Sequence, residues 1–168
     1  MSSLTIVRYN IIVNMDTKEI LEQLTVTALN ILSIRPQSEW ELRQKLQRAV
    51  RKCNIDHTVE RKCIDQVVET IEQQGYVNDK AFVTWYVEQR LEFRPRSRRR
   101  LTVELSRKGI DSGIIVEALS GYDEELACRR LAYKKQGYPK KQLTDYLLRE
   151  GFPWEVVEEI INDTRSAL

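Results

Sequence analysis

An all-α fold, built as a tandem array of three three-helix repeats, is predicted here by three observations. The chain resembles itself at an offset of 42 residues, its apolar residues recur at helical spacing, and turn formers are scarce. With 6 Gly and 4 Pro in 168 residues, long stretches are free to be helical, which argues against a turn-rich sandwich. Hydrophobic residues at 42% and charged residues at 31% describe a folded chain and not a disordered one.

The repeat is read from paired positions. Leu101 and Leu105 stand 42 residues before Leu143 and Leu147. Ile114, Ile115, Ala118 and Leu119 stand the same distance before Val156, Val157, Ile160 and Ile161. Lys108-Gly109-Ile110 and Glu150-Gly151-Phe152 lie between the blocks, also in register. An earlier copy uses Leu42 and Leu46, then Val67, Val68 and Ile71. Its connection is 12 residues longer, and the charged stretch Arg48 to Arg61 is expected to absorb the difference. The repeats span residues 22–78, 79–122 and 123–168. Modules of this size barely bury a core alone, so neighbours are expected to pack into an elongated, curved array.

Local signals place the helices. Ala28, Leu29, Ile31 and Leu32 mark the first helix of copy one, and Phe82, Trp85 and Tyr86 that of copy two. Ser38-x-x-Glu41 is a capping box, and Asp79, Asp111 and Asp123 are candidate N-caps. Gly75, Gly109 and Gly151 follow periodic segments, as left-handed C-terminal glycines do. Trp85 and Tyr133 read as core, while Tyr76 and Tyr122 follow glycines and read as turn packing. Trp40 and Trp154 fall in first turns, where they bridge modules or stay partly exposed. Outside the repeat, residues 1–21 form an N-terminal arm whose β-branched stretch Leu4 to Val13 suggests a short strand or extended segment.

Several classes of chemistry find no residues to carry them. The three cysteines (Cys53, Cys63, Cys128) and the single His57 make neither a C-x-x-C pair nor a zinc set. Cys63 reads as a small buried hydrophobe, and His57 as a solvated residue beside the cap Asp56. There is no phosphate-cradling G-x-x-x-x-G-K-[ST] loop, no G-x-S-x-G elbow and no H-E-x-x-H helix. No catalytic residue, metal site or cofactor is expected, so the chain reads as a non-enzyme. Lacking an 18-residue apolar run or a signal-peptide pattern, it is expected to be cytoplasmic, with no membrane contact.

Charge supplies the candidate functional residues. The total is only +2, yet residues 90–108 hold eight basic groups against Glu92 and Glu104. Residues 129–141 hold six basic groups and no acidic one. The candidate partner- or nucleic-acid-binding set is Arg94, Arg96, Arg98, Arg99, Arg100, Arg107 and Lys108 in copy two, with Lys134, Lys135, Lys140 and Lys141 in copy three. Register places both patches on one side of adjacent modules, as a stripe; the bland reading is a solvated helix face. Arginine's planar fork suits phosphate and carboxylate alike, so residue type leaves DNA and an acidic protein face both open. Phe93, Tyr133 and Tyr138 interleave with these cations and could stack on bases.

The residues now in view resemble the RecX family. Its marks are Ala28-Leu29 through Leu32-Ser33-x-Arg35 and Ser38-x-x-Glu41-Leu42-x-x-Lys45-Leu46. Then come Gly75-Tyr76-Val77-Asn78-Asp79-x-x-Phe82 and Tyr86-Val87-x-x-Arg90. The strongest stretch is Arg99-x-Leu101-x-x-Glu104-Leu105-x-x-Lys108-Gly109-Ile110, and Leu147-x-x-x-Gly151-Phe152 closes the third copy. The resemblance covers residues 22–168. Where the family often has a glycine this chain has Arg94-Pro95-Arg96-Ser97, and the N-terminal arm lies outside the pattern. What the resemblance implies is a monomeric regulator of recombination, DNA repair and the SOS response. It would lodge in the RecA–single-stranded DNA filament and inhibit strand exchange and ATP hydrolysis. A stand-alone DNA binder with helix-turn-helix-like units is the alternative. It needs a recognition helix with base-reading side chains; only the second helix of copy two offers Arg98, Arg99 and Arg100.

Overall fold

The computed structural model describes residues 16–51 and 56–163. Those residues hold nine helices and no strand. In order these are α1 (Thr17–Ile34), α2 (Glu39–Val50), α3 (His57–Gln73), α4 (Asp79–Phe93), α5 (Arg98–Ser106), α6 (Ser112–Leu119), α7 (Glu124–Tyr133), α8 (Lys140–Arg149) and α9 (Trp154–Asp163). The N-terminal stretch Leu4 to Val13 and Cys53 lie outside the described residues. The chain divides into two compact units, Met1–Phe82 and Val83–Leu168, with the boundary inside α4.

In the first unit α1, α2 and α3 pack on one another. Their core joins Ile20, Leu24 and Ala28 to Leu42, Leu46 and Val50, and to Cys63, Ile64, Val67, Val68 and Ile71. These are the positions that i, i+3, i+4 spacing selects, so the apolar stripe of each helix turns inward to leave water. The extra length of this copy is in part helical. Much of Arg48 to Arg61 is helix, because α2 runs to Val50 and α3 starts at His57, ten residues before Val67. In α6, by contrast, Ile114 is the third residue. His57 is solvent-exposed, as expected, with Nδ1 3.2 Å from Glu60 Oε2.

In the second unit α5 packs on α6, while α7, α8 and α9 pack on one another. The leucine pairs Leu101/Leu105 and Leu143/Leu147 are all buried, each burial contributing about 1.5–3 kcal/mol. Gly75, Gly109 and Gly151 have φ of 76°, 76° and 87°. The last two end α5 and α8 identically. Ile110 N–H donates to Leu105 O (3.3 Å) and Phe152 N–H to Leu147 O (3.3 Å), reversals that need a left-handed residue.

Capping follows the sequence, with one correction. Ser38, Asp111 and Asp123 accept from the backbone N–H of Glu41, Gly113 and Leu126, and Ser97, not singled out from the sequence, accepts from Arg100 N–H. At α4, however, the cap is Asn78, whose Oδ1 accepts from Ala81 N–H at 3.0 Å. Asp79 instead accepts from Glu39 N–H at 2.9 Å, covering an orphan donor at the start of α2. Burial pushes the Asp79 carboxyl above its ordinary range. Three aromatic assignments are also corrected. Tyr133 and Tyr76 are exposed, and Trp85 is only half-buried. Tyr122 is buried as expected, its hydroxyl donating to Arg96 O at 2.7 Å.

Candidate functional site

The eleven candidate cations separate into two groups once their partners are known. Arg96 lies at the centre of the first. Its Nη1 is 2.8 Å from Glu150 Oε2 and its Nε 3.3 Å from Glu104 Oε1. Arg100 reaches the same Glu150 oxygen at 2.8 Å. Ser97, fully buried, caps Arg100 N–H and donates its hydroxyl to Glu150 O at 2.8 Å. Arg98 donates its Nη2 to Tyr122 O at 3.0 Å, and its N–H to Glu124 Oε1 at 2.9 Å. These bonds tie the start of α5 to the end of α8 and the start of α7.

A second knot sits beside it. Glu104 Oε2 accepts from the Tyr86 hydroxyl at 2.7 Å and from Arg90 Nε at 2.8 Å. Lys108 Nζ lies 5.1 Å from the centre of the Tyr86 ring. Burial, reinforced by the bond to Glu104, pushes the Tyr86 phenol up to about 12. The motif residues Tyr86, Arg90, Glu104 and Lys108 are therefore one structural cluster. At the positions equivalent to Arg96 and Glu104, copy one has a single charge and no ion pair between them, Lys45 Nζ donating to Gln37 Oε1 at 3.0 Å.

Copy three also spends part of its charge internally. Lys134 Nζ donates to the carbonyls of Phe93 (2.9 Å) and Glu92 (3.2 Å), satisfying the end of α4. Lys135 lies over the rings of Tyr138 (5.4 Å) and Tyr146 (5.6 Å), which meet edge to face. Arg129 and Arg130, outside the candidate set, pair with Glu125 and Asp163, and with Glu92.

Among the described residues, five candidates have no ion-pair, hydrogen-bond or cation–π partner for their charged groups: Arg94, Arg99, Arg107, Lys140 and Lys141. All five are exposed. Arg99 in the first turn of α5 and Arg107 at its C-cap lie about two turns apart with exposed Val103 between them, along one helix face. Lys141 is the register equivalent of Arg99, and Lys140 that of Arg98. Thr102 and Thr144 each donate a hydroxyl to the carbonyl of the preceding turn, at Arg98 and Lys140. The expected eleven-cation stripe thus reduces to five free cations. Arg98 and Arg100, at a helix start where cations are unfavourable to the dipole, owe their placement to the acidic partners Glu124 and Glu150.

Sequence reasoning missed one feature. The last residue of the first helix in every triplet is large, apolar and exposed: Ile34 (83%), Phe93 (66%) and Tyr133 (72%). A basic residue follows each time, Arg35, Arg94 or Lys134. That repetition was legible in the sequence, but only once the helix ends were known.

No group of three or more His, Cys, Asp and Glu side chains among the described residues is gathered to hold a metal ion. A cavity of about 660 Å³ in the first unit is lined by both signs of charge, among them Arg43, Arg61, Glu60 and Asp65. Burial pushes the Cys128 thiol up to about 12 and raises Cys63, so both remain protonated at neutral pH and are weak nucleophiles. No helix among the described residues is long and apolar enough to cross a membrane.

Three-helix modules repeated along the chain define an all-α helical-repeat protein. Residues 78–119 match the family model for the second three-helix domain of RecX. The regulatory protein RecX of Chlorobium phaeobacteroides (strain BS1) is 31% identical over 142 residues, covering 80% of this chain and 89% of its own. Regulatory protein RecX of Corynebacterium efficiens is 30% identical over 163 residues, covering 83% and 74%. The crystal structure of RecX from Lactobacillus salivarius matches with a TM-score of 0.65 over 87% of this chain and 97% of that one, at 22% identity. The chain belongs to the RecX family.

Proposed function

We propose that this chain is a non-enzymatic, cytoplasmic regulator of the RecA recombinase. It binds the RecA–single-stranded DNA filament as a monomer and inhibits strand exchange and ATP hydrolysis. In this reading it acts in recombination, repair and the SOS response. The three helix triplets, α1–α3, α4–α6 and α7–α9, are copies of one module, the first beginning at Thr17 and not at the expected residue 22. The observation that carries the reading is the set of five cations left without internal partners, at Arg94, Arg99, Arg107, Lys140 and Lys141. Two of them, Arg99 and Lys141, occupy the same position in successive copies. Exposed charge repeated at one site, with no internal partner, suits an extended anionic surface.

The test is the single-strand-dependent ATPase of RecA, with and without the chain. Reversing Arg99, Arg107, Lys140 and Lys141 to Glu leaves the helical circular dichroism intact. It raises the inhibitory concentration at least tenfold, about 1.4 kcal/mol. A folded variant that inhibits at the parent's concentration refutes the proposed surface.

In the second unit a stand-alone sequence reader is disfavoured by α6 and α9, the third helices of their triplets, whereas α3 of the first unit carries exposed Arg61 and Lys62. The exposed positions of α6 include Val116 and Glu117, and those of α9 include Glu155, Glu158, Glu159 and Asp163. Neither helix contains a cation, and carboxylates facing phosphates repel them.

A further inference from the structure

The free cations do not account for Phe93 and Tyr133. Each ends the first helix of its triplet, and each exposes most of a ring to water. Neither takes part in a ring–ring or cation–π contact among the described residues. Tyr138, in contrast, is engaged with Tyr146 and Lys135. The two helix ends are held together. Lys134, next to Tyr133, donates to the carbonyl of Phe93 at 2.9 Å, and Arg130 donates to Leu91 O at 3.3 Å. Arg94, immediately after Phe93, is exposed and has no side-chain partner. Two solvated rings on adjoining helix ends, beside an unpaired guanidinium, offer flat apolar surface together with charge for a phosphate.

We infer that Phe93 and Tyr133 are a stacking platform for unpaired nucleobases, with Arg94 holding the adjoining phosphate, so that this corner recognises single-stranded nucleic acid by its bases as well as its backbone. The inference deepens the function proposed above and rests on it for the presence of a strand. Charge complementarity selects the occupant. A duplex hides its base faces, and a purely apolar protein patch leaves Arg94 desolvated without a counter-charge. Stacking tolerates any base, because every base has a π-face.

The experiment uses the full chain and two labelled strands of about 15 nucleotides, oligothymidylate and an abasic strand of equal phosphate count. The parent is expected to bind oligothymidylate at least fivefold more tightly, about fivefold for each ring that stacks. Replacing both rings by Leu keeps apolar surface and removes the π-face. It is expected to abolish the preference while leaving affinity for the abasic strand and the log–log salt slope unchanged. Exchanging the rings, Phe93→Tyr with Tyr133→Phe, retains the preference. Circular dichroism checks that each variant is folded. Equal parental affinity for the two strands, a preference that survives in the Leu variant, or binding to neither strand overturns the inference. A Leu variant that loses oligomerisation or protein capture, with no change on DNA, overturns it in favour of a protein contact. ATPase assays keep the two readings apart. Inhibition without base preference refutes only the platform, whereas base preference without inhibition refutes only the regulator.

Discussion

Replacing Arg96 by Met keeps most of the side chain's volume and removes its charge. The Arg96 side chain is 20% exposed, and its partners Glu104 and Glu150 are 23% and 12% exposed. Each charge-assisted bond of this kind contributes about 1.5–3 kcal/mol. The carboxylates are not abandoned, because Glu104 keeps Arg90 and Tyr86 while Glu150 keeps Arg100 at 2.8 Å. The loss therefore falls below the roughly 3–5 kcal/mol of an isolated buried charge. It exceeds the roughly 0–1 kcal/mol of a surface pair. Only the Nη1–Glu150 contact is a hydrogen bond, because Arg96 Nε faces Glu104 Oε1 at 3.3 Å without hydrogen-bond geometry. The expected loss is about 2 kcal/mol, a fall of roughly 8–16 °C in midpoint for a unit of this size. Thermal unfolding followed by circular dichroism measures it, with Arg99→Met as the control, expected within about 0.5 kcal/mol of the parent. An Arg96→Met midpoint within about 2 °C of the parent refutes the division between structural and free cations.

Three further outcomes follow from the same geometry. Gly151→Ala is expected to destabilise more than Gly75→Ala. Both impose the left-handed penalty of about 1–2 kcal/mol, but a Cβ at 151 would lie 2.9 Å from Ser97 Oγ while the space at 75 is open; equal midpoints in denaturant would contradict this. Raising pH is expected to destabilise the second unit. Tyr86, Tyr122 and Cys128, all raised to about 12 mainly by burial, hold their protons longer when folded. Their contribution is present below the ordinary thiol and phenol range and is lost as pH rises towards 12. Tyrosinate absorbance checks it: the late-titrating component shrinks in Tyr86→Phe and in Tyr122→Phe, and a spectrum with no such component counts against the burial. For naked single strands, a log–log salt slope of about −3.5 is expected if all five free cations meet phosphates, at about −0.7 each. Arg94→Ala reduces the slope by one contact, and an unchanged slope places Arg94 away from the strand.

The helical modules were legible because their signals are local. The pairs Leu101/Leu105 and Leu143/Leu147 are one turn apart, and Ser38, Asp111 and Asp123 cap donors two or three residues away. The glycines at 109 and 151 declare a left-handed turn by lacking a side chain. Family membership was readable for the same reason, since its motifs are runs of such short-range signals. Local spacing failed where one residue mattered. Tyr133 follows the buried Leu131 and Ala132, and a step of one position turns a side chain about 100° around the helix, here into water. Asp79 and Asn78 exchanged the capping role because Glu39, forty residues away, offered an N–H to Asp79. The sequence by itself determined which segments are helices, where most of them start and stop, and that basic charge collects in copies two and three. Only the tertiary structure decided which of those cations are free. Arg96 finds Glu150 at a separation of 54 residues and Arg98 finds Glu124 at 26. No periodicity encodes such partners, because the carboxylate is delivered by the packing of another helix.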